Sequence, residues 1–422
     1  MIASVVVSAE EPALPEPRFV WHVTDRDAPL GALVIDDLVA GRACGGVRVA
    51  PAVTLTELRE LAAAMTLKFA FFGIACGGAK AGVVVPDGTP VAERERRLRA
   101  FGAGLAPLAR PGTYIAGTDL GCSERDLWEI MTSAGLSGGP PPTRGGVDVS
   151  PTATASGRSA AIAAIAALGG DVSRATLGIL GYGRVGAAVA ARFAAAGGRL
   201  VGIATARGAV LEPAGLDVAA LEDLRLRHGD EAPLHYPGGR RVDPAELLGA
   251  GLDVLSPCAT TRMIDAENAG RVRCKIVSPG ANVAVTADAE TILAAAGVTV
   301  IPDFVANAGG ILTSHFWPLR LPEEAVDLLL ERRFRALVGT LLARAAAYGV
   351  SPAQLARAAA RRNRVWLANA HGPALRHERL IALLARGRVQ RALPRAVVTA
   401  IVGRVAASLG PRWPIVPAAR AG

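Results

Sequence analysis

The sequence predicts a two-domain α/β protein: an N-terminal α/β domain, a second domain built on a doubly wound parallel sheet, and C-terminal helices. Three observations carry this expectation. The chain has 422 residues and is 51% hydrophobic, too long for one ordinary domain and apolar enough for two cores. The stretch "SGGPPPTRGG" at 137–146 gathers the proline and glycine of a linker. Past it, short apolar runs alternate with alanine-rich ones, the order that puts helices on both faces of a parallel sheet. The expected domains are 1–149, 150–317 and an arginine-rich helical region, 318–422.

In the first domain, residues 18–50 read as short β segments, "FVWHV", "GALVIDD" and "GGVRVA", broken by turns. Residues 54–73, "TLTELRELAAAMTLKFAFFG", read as a helix. Thr54 and Glu57 have capping-box spacing, and Leu58, Leu61, Ala62, Met65 and Phe69 form the apolar stripe. Lys68 falls on or beside that stripe, where an ammonium either snorkels to water or is buried for a purpose. "AGVVVP" at 81–86 predicts a strand and 90–109 a helix with a charged outer face. "TYIAGTDLG" at 113–121 predicts a strand running into a turn that carries Asp119. "SERDLWEIMTSAG" predicts a helix capped by Ser123, with Asp126 at its third position. In the second domain, "ATLGIL" at 175–180 predicts a buried strand, 187–196 a helix, and 199–205, 253–257, 274–280 and 298–304 further strands. Beyond 318 the chain reads as helical.

Charge and composition exclude several classes. The net charge is +9, but from Pro318 onward 18 Arg face 5 acidic residues, so the remainder sums to −4. A solvated or subunit-contacting helical face is the plain reading of that excess. Nucleic acid is the rival partner, disfavoured by the few aromatics available for base stacking. The five cysteines, at 44, 76, 122, 258 and 274, form no CxxC pair and no metal-ligand spacing. They predict reduced thiols, no metal and, with a start that lacks a basic n-region, a cytoplasmic protein. The longest alanine-rich run, "SAAIAAIAALGG", is too short to span a bilayer.

Lysine usage points to chemistry. Of 46 basic residues only Lys68, Lys80 and Lys275 are lysine. Two of the three fall close together, Lys80 within the glycine-rich "CGGAKAGVVV" and Lys68 shortly before it, in a chain that otherwise writes its cations as arginine. Arginine is a fixed, always-charged fork, whereas burial can lower the pKa of lysine. Two clustered ammonium groups depress one another further. One of them can bind a carboxylate while the other exchanges a proton. Arg48, in "CGGVR", and Asp119, at a strand end, complete the candidate set. Asp119 reads either as a general acid/base or as an ordinary turn aspartate.

Gly181, Gly183 and Gly186 make a GxGxxG loop, "GYGRVG", after a predicted strand and before a predicted helix. That context marks a dinucleotide-binding Rossmann unit, with Gly181, Tyr182, Gly183, Arg184, Val185 and Gly186 at the pyrophosphate. Thr205 stands where a carboxylate would hold the ribose 2′-hydroxyl of NAD, and Arg207 lies two residues on. This suits the 2′-phosphate of NADP, unless Arg207 points to solvent, so NADP is slightly favoured as the NAD(P) cofactor.

Several motifs in one order resemble the glutamate, leucine, phenylalanine and valine dehydrogenases. They are "MTLKFAFFGIACGGAKAGV", "IAGTDLG", "SPTATASG" at 150–157, "GYGRVG", "SPCA" at 256–259, "PGANVAVT" at 279–286 and "IPDFVANAGGILTS" at 301–314. The resemblance covers roughly residues 20–320. It implies reversible oxidative deamination of an L-amino acid to a 2-oxo acid and ammonia, with NAD(P), in a homo-oligomer. By position, Lys68 would hold the substrate α-carboxylate, Lys80 would polarise the carbonyl or imine and assist water, and Asp119 would shuttle protons. Gly45 and Gly46 would lie at the substrate. Thr154 and Asn282 would lie near the nicotinamide, with Cys258, Ala259 and Asn307 in the other cofactor motifs. The chain beyond 317 would return to the first domain. The family's "GGAKGG" is "GGAKAG" here and its "EGAN" is "PGAN", and neither change touches a residue to which the resemblance gives a role.

Substrate choice follows from the same resemblance. In glutamate-specific members a lysine precedes the paired glycines, and here that position is Cys44. The other side-chain positions fall at Gly117, Ile311 and Ser314. These predict an apolar amino acid over glutamate, with glutamate dehydrogenase as the alternative. Arg42 lies close in sequence, and Ser314 can donate one hydrogen bond. A non-catalytic dehydrogenase-like protein with a nucleic-acid-binding tail is the rival of another class. A hydroxy-acid dehydrogenase usually relies on a histidine, and none stands in the glycine-lysine or GxGxxG segments.

Overall fold

The computed structural model describes residues 16–25, 28–137, 143–144, 147–148, 150–319, 321–369, 379–381, 383–386 and 394–413, and the elements below are those of these residues. Most of the expected linker, 138–142 and 145–146, lies outside them. The chain divides into two compact units. One holds the described residues up to 150 together with 360–369, and the other holds 151–359 and those from 379 onward.

The first unit is a five-stranded sheet with helices. Its strands are β1 (Phe19–Asp25), β2 (Ala28–Ile35), β3 (Ala43–Ala50), β4 (Gly77–Val84) and β5 (Tyr114–Thr118). Its helices are α1 (Leu55–Phe72), α2 (Val91–Ala109) and α3 (Glu124–Ser133). The spatial order is β1-β2-β4-β3-β5, with β3 parallel to both β4 and β5 and β2 antiparallel to β4. Leu33, Val47, Ala81, Phe101, Leu105, Tyr114 and Ile130 close a core between the sheet and α2 and α3. Two short strands, β6 (Thr143–Arg144) and β7 (Val147–Asp148), pair beyond α3.

β4 begins at Gly77, four residues before the expected 81, so Lys80 lies inside the strand. The double glycine explains the extension. A Cβ on Gly77 would fall 1.8 Å from the Asp37 carbonyl oxygen, and one on Gly78 would fall 2.2 Å from the Ala62 oxygen and Thr66 nitrogen of α1. Only glycine lets the strand run that close beneath the helix.

The second unit holds α4 (Pro151–Ala167), β8 (Thr176–Leu180), α5 (Arg184–Ala195), β9 (Arg199–Ala204), β10 (Ala209–Leu211), α6 (Val218–His228), α7 (Ala232–His235) and β11 (Arg240–Val242). There follow β12 (Leu252–Pro257), β13 (Cys274–Val277), α8 (Ala287–Ala295), β14 (Thr299–Val300), α9 (Asp303–Ala306) and α10 (Gly309–Phe316). The sheet order is β11-β10-β9-β8-β12-β13-β14. From β9 to β14 neighbouring strands run parallel, while β10 and β11 are antiparallel additions too short to be read from sequence. The order turns at β8, the switch point where such sheets bind ligands. The strand expected over 298–304 stops at Val300, because Pro302 has no N–H to donate and Asp303 opens α9.

Beyond residue 317 the described chain is helical: α11 (Glu323–Tyr348), α12 (Pro352–Asn369) and α13 (Arg395–Ser408). α11 lies against α4 and α5, with Arg158 paired to Glu323 and Asp327 and Arg192 to Glu331. Residues 360–369 of α12 belong to the first unit. There Asn363 Nδ2 donates to the carbonyls of Ala70 (2.7 Å) and Phe71 (3.0 Å) at the end of α1. No described helix is long and apolar enough to cross a membrane.

Candidate active site and nucleotide site

The first unit gathers Lys80, Asp119, Arg48 and Glu57 into one cluster, with Lys80 and Arg48 buried and Asp119 and Glu57 partly so. Lys80 Nζ lies 2.7 Å from Asp119 Oδ1, and Arg48 Nε donates to Asp119 Oδ2 at 2.9 Å. The far end of the Arg48 guanidinium pairs with Glu57 Oε1. The register of β3 between β4 and β5 makes the meeting. Val47 stands opposite Ala81 on one side and Thr118 on the other, so Arg48, Lys80 and Asp119 fall at neighbouring levels of three adjacent strands.

Both lysines are buried, Lys80 1% exposed and Lys68, on α1, 4%, so of the two alternatives for Lys68 the structure shows burial. Burial pushes the Lys80 ammonium below its ordinary value, Asp119 opposes the shift, and the neighbouring Arg48 adds to it. Burial alone would raise the Asp119 carboxyl. The charges and hydrogen bonds of Lys80 and Arg48 outweigh it and hold the group at about 2. Asp119 is therefore an anion shared between two cations, and the ordinary-turn reading of it does not describe this arrangement.

Around the cluster the glycines have separate reasons. A Cβ on Gly45 would fall 1.6 Å from the Ala79 oxygen, and one on Gly46 would fall 2.9 Å from Asp119 Cβ, so both let β3 seat between its neighbours. A Cβ on Gly117 would meet nothing within 4 Å, which leaves open space there. Cys44 is partly buried, and burial pushes its thiol up to about 12, partly countered by Arg42. It is neutral in the physiological range.

Glu57 was expected to close a capping box, and half of that box forms. Thr54 Oγ1 accepts the Glu57 N–H at 3.2 Å, but the Glu57 carboxylate turns to Arg48 instead. Sequence reading offered Arg48 without a role and did not offer Glu57. The one available signal was a buried-strand arginine beside a segment already carrying two lysines.

In the second unit the GxGxxG residues sit at the β8 switch point. Gly181 has φ +96°, and a Cβ there would fall 2.6 Å from the Ala259 nitrogen. A Cβ on Gly186 would fall 2.1 Å from the Gly181 oxygen, while one on Gly183, the N-cap of α5, would meet nothing within 4 Å. Turn, tight helix–strand packing and open approach are the three features a pyrophosphate at a helix N-terminus requires, so these residues fit a dinucleotide. Arg184 and Val185 open α5, and Tyr182 is buried beside them. Cys258 follows β12 and donates its N–H to the Leu180 oxygen (2.6 Å), which brings Cys258 and Ala259 to the end of β8.

The other expected cofactor residues belong to the same unit. Asn307 Nδ2 donates to the Ala281 oxygen (3.0 Å) and to Asn282 Oδ1 (3.3 Å). The next residue, Val283, has φ +51°, a strained conformation for a β-branched side chain, and its N–H donates to the Asp303 carboxylate. Thr154 lies in the first turn of α4. Gly309 and Gly310 bring α10 against α4, and α10 carries a buried Ile311 and an exposed Ser314. Thr205 closes a turn: its Oγ1 donates to the Asp230 oxygen (2.5 Å) and accepts the Arg207 N–H (3.2 Å), while Arg207 itself is exposed. Among the described residues no group of His, Cys, Asp and Glu could hold a metal ion.

Known proteins share this layout. The profile of the Glutamate/Leucine/Phenylalanine/Valine dehydrogenase family matches residues 145–372, and that of its Glu/Leu/Phe/Val dehydrogenase dimerisation domain matches 31–134. The glutamate dehydrogenase of Thermotoga maritima is 33% identical over 326 residues, 72% of this chain and 78% of that protein. Glutamate dehydrogenase B of Halobacterium salinarum is 36% identical over 66% of this chain and 67% of its own. Among solved structures, the hetero-hexameric glutamate dehydrogenase of Thermus thermophilus in a leucine-bound form superposes with a TM-score of 0.72 at 30% identity, covering 85% of this chain and 92% of that one. The L-tryptophan dehydrogenase of Nostoc punctiforme shares the fold, with a TM-score of 0.57 at 20% identity over 84% and 97% of the two chains.

Proposed function

This chain belongs to the glutamate/leucine/phenylalanine/valine dehydrogenase family and is an NAD(P)-dependent amino-acid dehydrogenase, and we propose that its substrate is an L-amino acid with an apolar side chain. The reaction is reversible oxidative deamination to the 2-oxo acid and ammonia. One observation carries the catalytic reading: the buried contact of 2.7 Å between Lys80 Nζ and Asp119 Oδ1, in a protein that reserves lysine for three positions.

Lys68 binds the substrate α-carboxylate as a buried point charge. Lys80, with its depressed pKa, takes a proton from the water that attacks the imine carbon in deamination, and returns it in the reverse direction. Asp119 exchanges protons with the departing or entering ammonia. Gly181, Gly183, Gly186 and the start of α5 hold the pyrophosphate, and NAD(P), when bound, accepts or returns the hydride of the substrate α-carbon. The proposed preference for NADP rests on Thr205, which offers no carboxylate to a ribose 2′-hydroxyl; Arg207 is exposed, so its position adds no support.

The apolar preference rests on Cys44 and Gly117. Neither brings a charge, and a second carboxylate buried without a cation would cost several kcal/mol. A second reading, glutamate, has its own observation: the charge of Arg42 reaches the Cys44 thiol. The match to a dimerisation-domain profile supports assembly as a homo-oligomer, measurable by light scattering.

A panel of leucine, valine, phenylalanine, tryptophan and glutamate against NAD and NADP, followed at the nicotinamide absorbance, tests the reading. Higher kcat/KM for an apolar amino acid than for glutamate is expected. The reverse order selects the second reading, and no turnover of any amino acid in either direction defeats both. Lys80→Arg should lower turnover at least about a hundredfold, since it keeps the charge and loses the tunable pKa.

A further inference from the structure

We propose that Arg48 is a positioning residue that makes the neutral form of Lys80 accessible, by holding the Asp119 carboxylate through the oxygen that Lys80 does not use. The inference deepens the proposed function, since it rests on reading Lys80 as the proton-exchanging group.

The carboxylate is divided cleanly. Lys80 takes Oδ1 at 2.7 Å and Arg48 Nε takes Oδ2 at 2.9 Å, and the Arg48 side chain is 6% exposed. Glu57, at the first turn of α1, fixes the other end of the guanidinium. Arginine is the side chain that carries a fixed charge. When Lys80 becomes neutral, Asp119 still has a countercharge, because Arg48 stays. Without Arg48, the Lys80 proton would be all that neutralises a buried anion, and Lys80 would hold it.

The other groups in reach do not take over this task. Glu57 is the second carboxylate of the cluster, and its charge opposes proton loss from Lys80. Glu124 accepts a hydrogen bond from Thr118 Oγ1 at 3.3 Å. The Tyr114 hydroxyl and the Cys122 thiol are both raised by burial, with Asp119 adding to the shift, and stay neutral. Burial and Arg48 push Lys80 down while Asp119 and Glu57 push it up, so removing Arg48 and removing Glu57 should move Lys80 in opposite directions.

The scarcity of lysine makes this directly measurable. Protein carrying [13Cε]lysine has three lysine signals, from Lys68, Lys80 and Lys275, assigned by replacing Lys68 and Lys275 with arginine. The Lys80 titration midpoint should rise by at least about one pH unit in Arg48→Met and fall in Glu57→Gln. In the active protein the acid-side limb of kcat for deamination should follow the same two directions, a response that a purely structural role would not produce. An unchanged or lowered midpoint in folded Arg48→Met overturns the proposal. Should that variant not fold, Glu57→Gln decides: an unchanged or raised midpoint overturns it. A protein with no dehydrogenase activity whose Lys80 midpoint moves as stated would retire the proposed function and leave the Arg48 assignment standing.

Discussion

Replacing Asp119 with asparagine should destabilise the protein in a pH-dependent way. The change preserves shape and removes the anion that separates Lys80 from Arg48. Cations bound to opposite oxygens of one carboxylate sit roughly 5 Å apart, and at an effective dielectric of ~20 their repulsion is about 3 kcal/mol. That falls in the range of about 3–5 kcal/mol typical of breaking a buried ion pair. The variant has a way out that the parent does not need, which is for Lys80 to shed its proton. Its folded-state pKa then lies still further below that of the unfolded chain, so the unfolded state binds more protons and stability rises with pH. The deficit relative to the parent should be largest near pH 6 and shrink by at least about 1 kcal/mol by pH 9. Hydrogen exchange of the β3 and β4 amides, Ala43–Ala50 and Gly77–Val84, corrected for intrinsic rates, reads this locally. Turnover should be lost while NAD(P)H binding survives. An equal deficit at both pH values, or none, would show that Lys80 and Arg48 do not face each other across a shared charge.

Three further outcomes are expected. Gly181→Ala forces a side chain at φ +96° into the Ala259 backbone and should lower the melting temperature, whereas Gly183→Ala, which meets nothing within 4 Å, should keep the fold and weaken only NAD(P) binding by calorimetry. If Arg207 pairs with a bound 2′-phosphate, Arg207→Ala should raise the KM for NADP at least about tenfold and leave that for NAD nearly unchanged, the scale of losing one charge-assisted contact; an unchanged KM for NADP leaves the preference on Thr205 alone. The alternative change, Thr205→Asp, is a poor probe, because it sets a carboxylate against the Asp230 carbonyl oxygen that Thr205 now donates to. Cys44→Lys should raise the ratio of glutamate to leucine activity, and an unchanged ratio would remove Cys44 from the account of specificity.

Much of the second unit could be read in the sequence because its signals are local. A strand, a glycine loop and a helix follow one another within twenty residues, and each glycine does what its place in the loop demands. The first unit was less legible where its contacts are distant. Arg48 and Asp119 stand 71 positions apart and meet only through strand register, which periodicity does not encode. Glu57 carried a true local signal that was outweighed, since a buried guanidinium binds a carboxylate more strongly than an N-cap amide does. The strain at Val283 was invisible, because a β-branched residue is the last that propensity would place at positive φ. The early start of β4 was hidden because glycine carries little strand preference, and the need for Gly78 shows only once α1 lies above it.

Asn363 has a consequence in time as well as in space. Its amide holds the last carbonyls of the helix that carries Lys68, across 293 positions of chain. A ribosome finishes residues 16–150 long before it reaches 363, and at 5–20 residues per second the interval is on the order of ten to forty seconds. Throughout that wait the lysine helix ends on its own Gly73 cap, without the further donor that Asn363 brings. The catalytic half of the protein is thus begun first and completed among the last, and a nascent chain released early would carry Lys68 on a helix that still lacks its Asn363 contact.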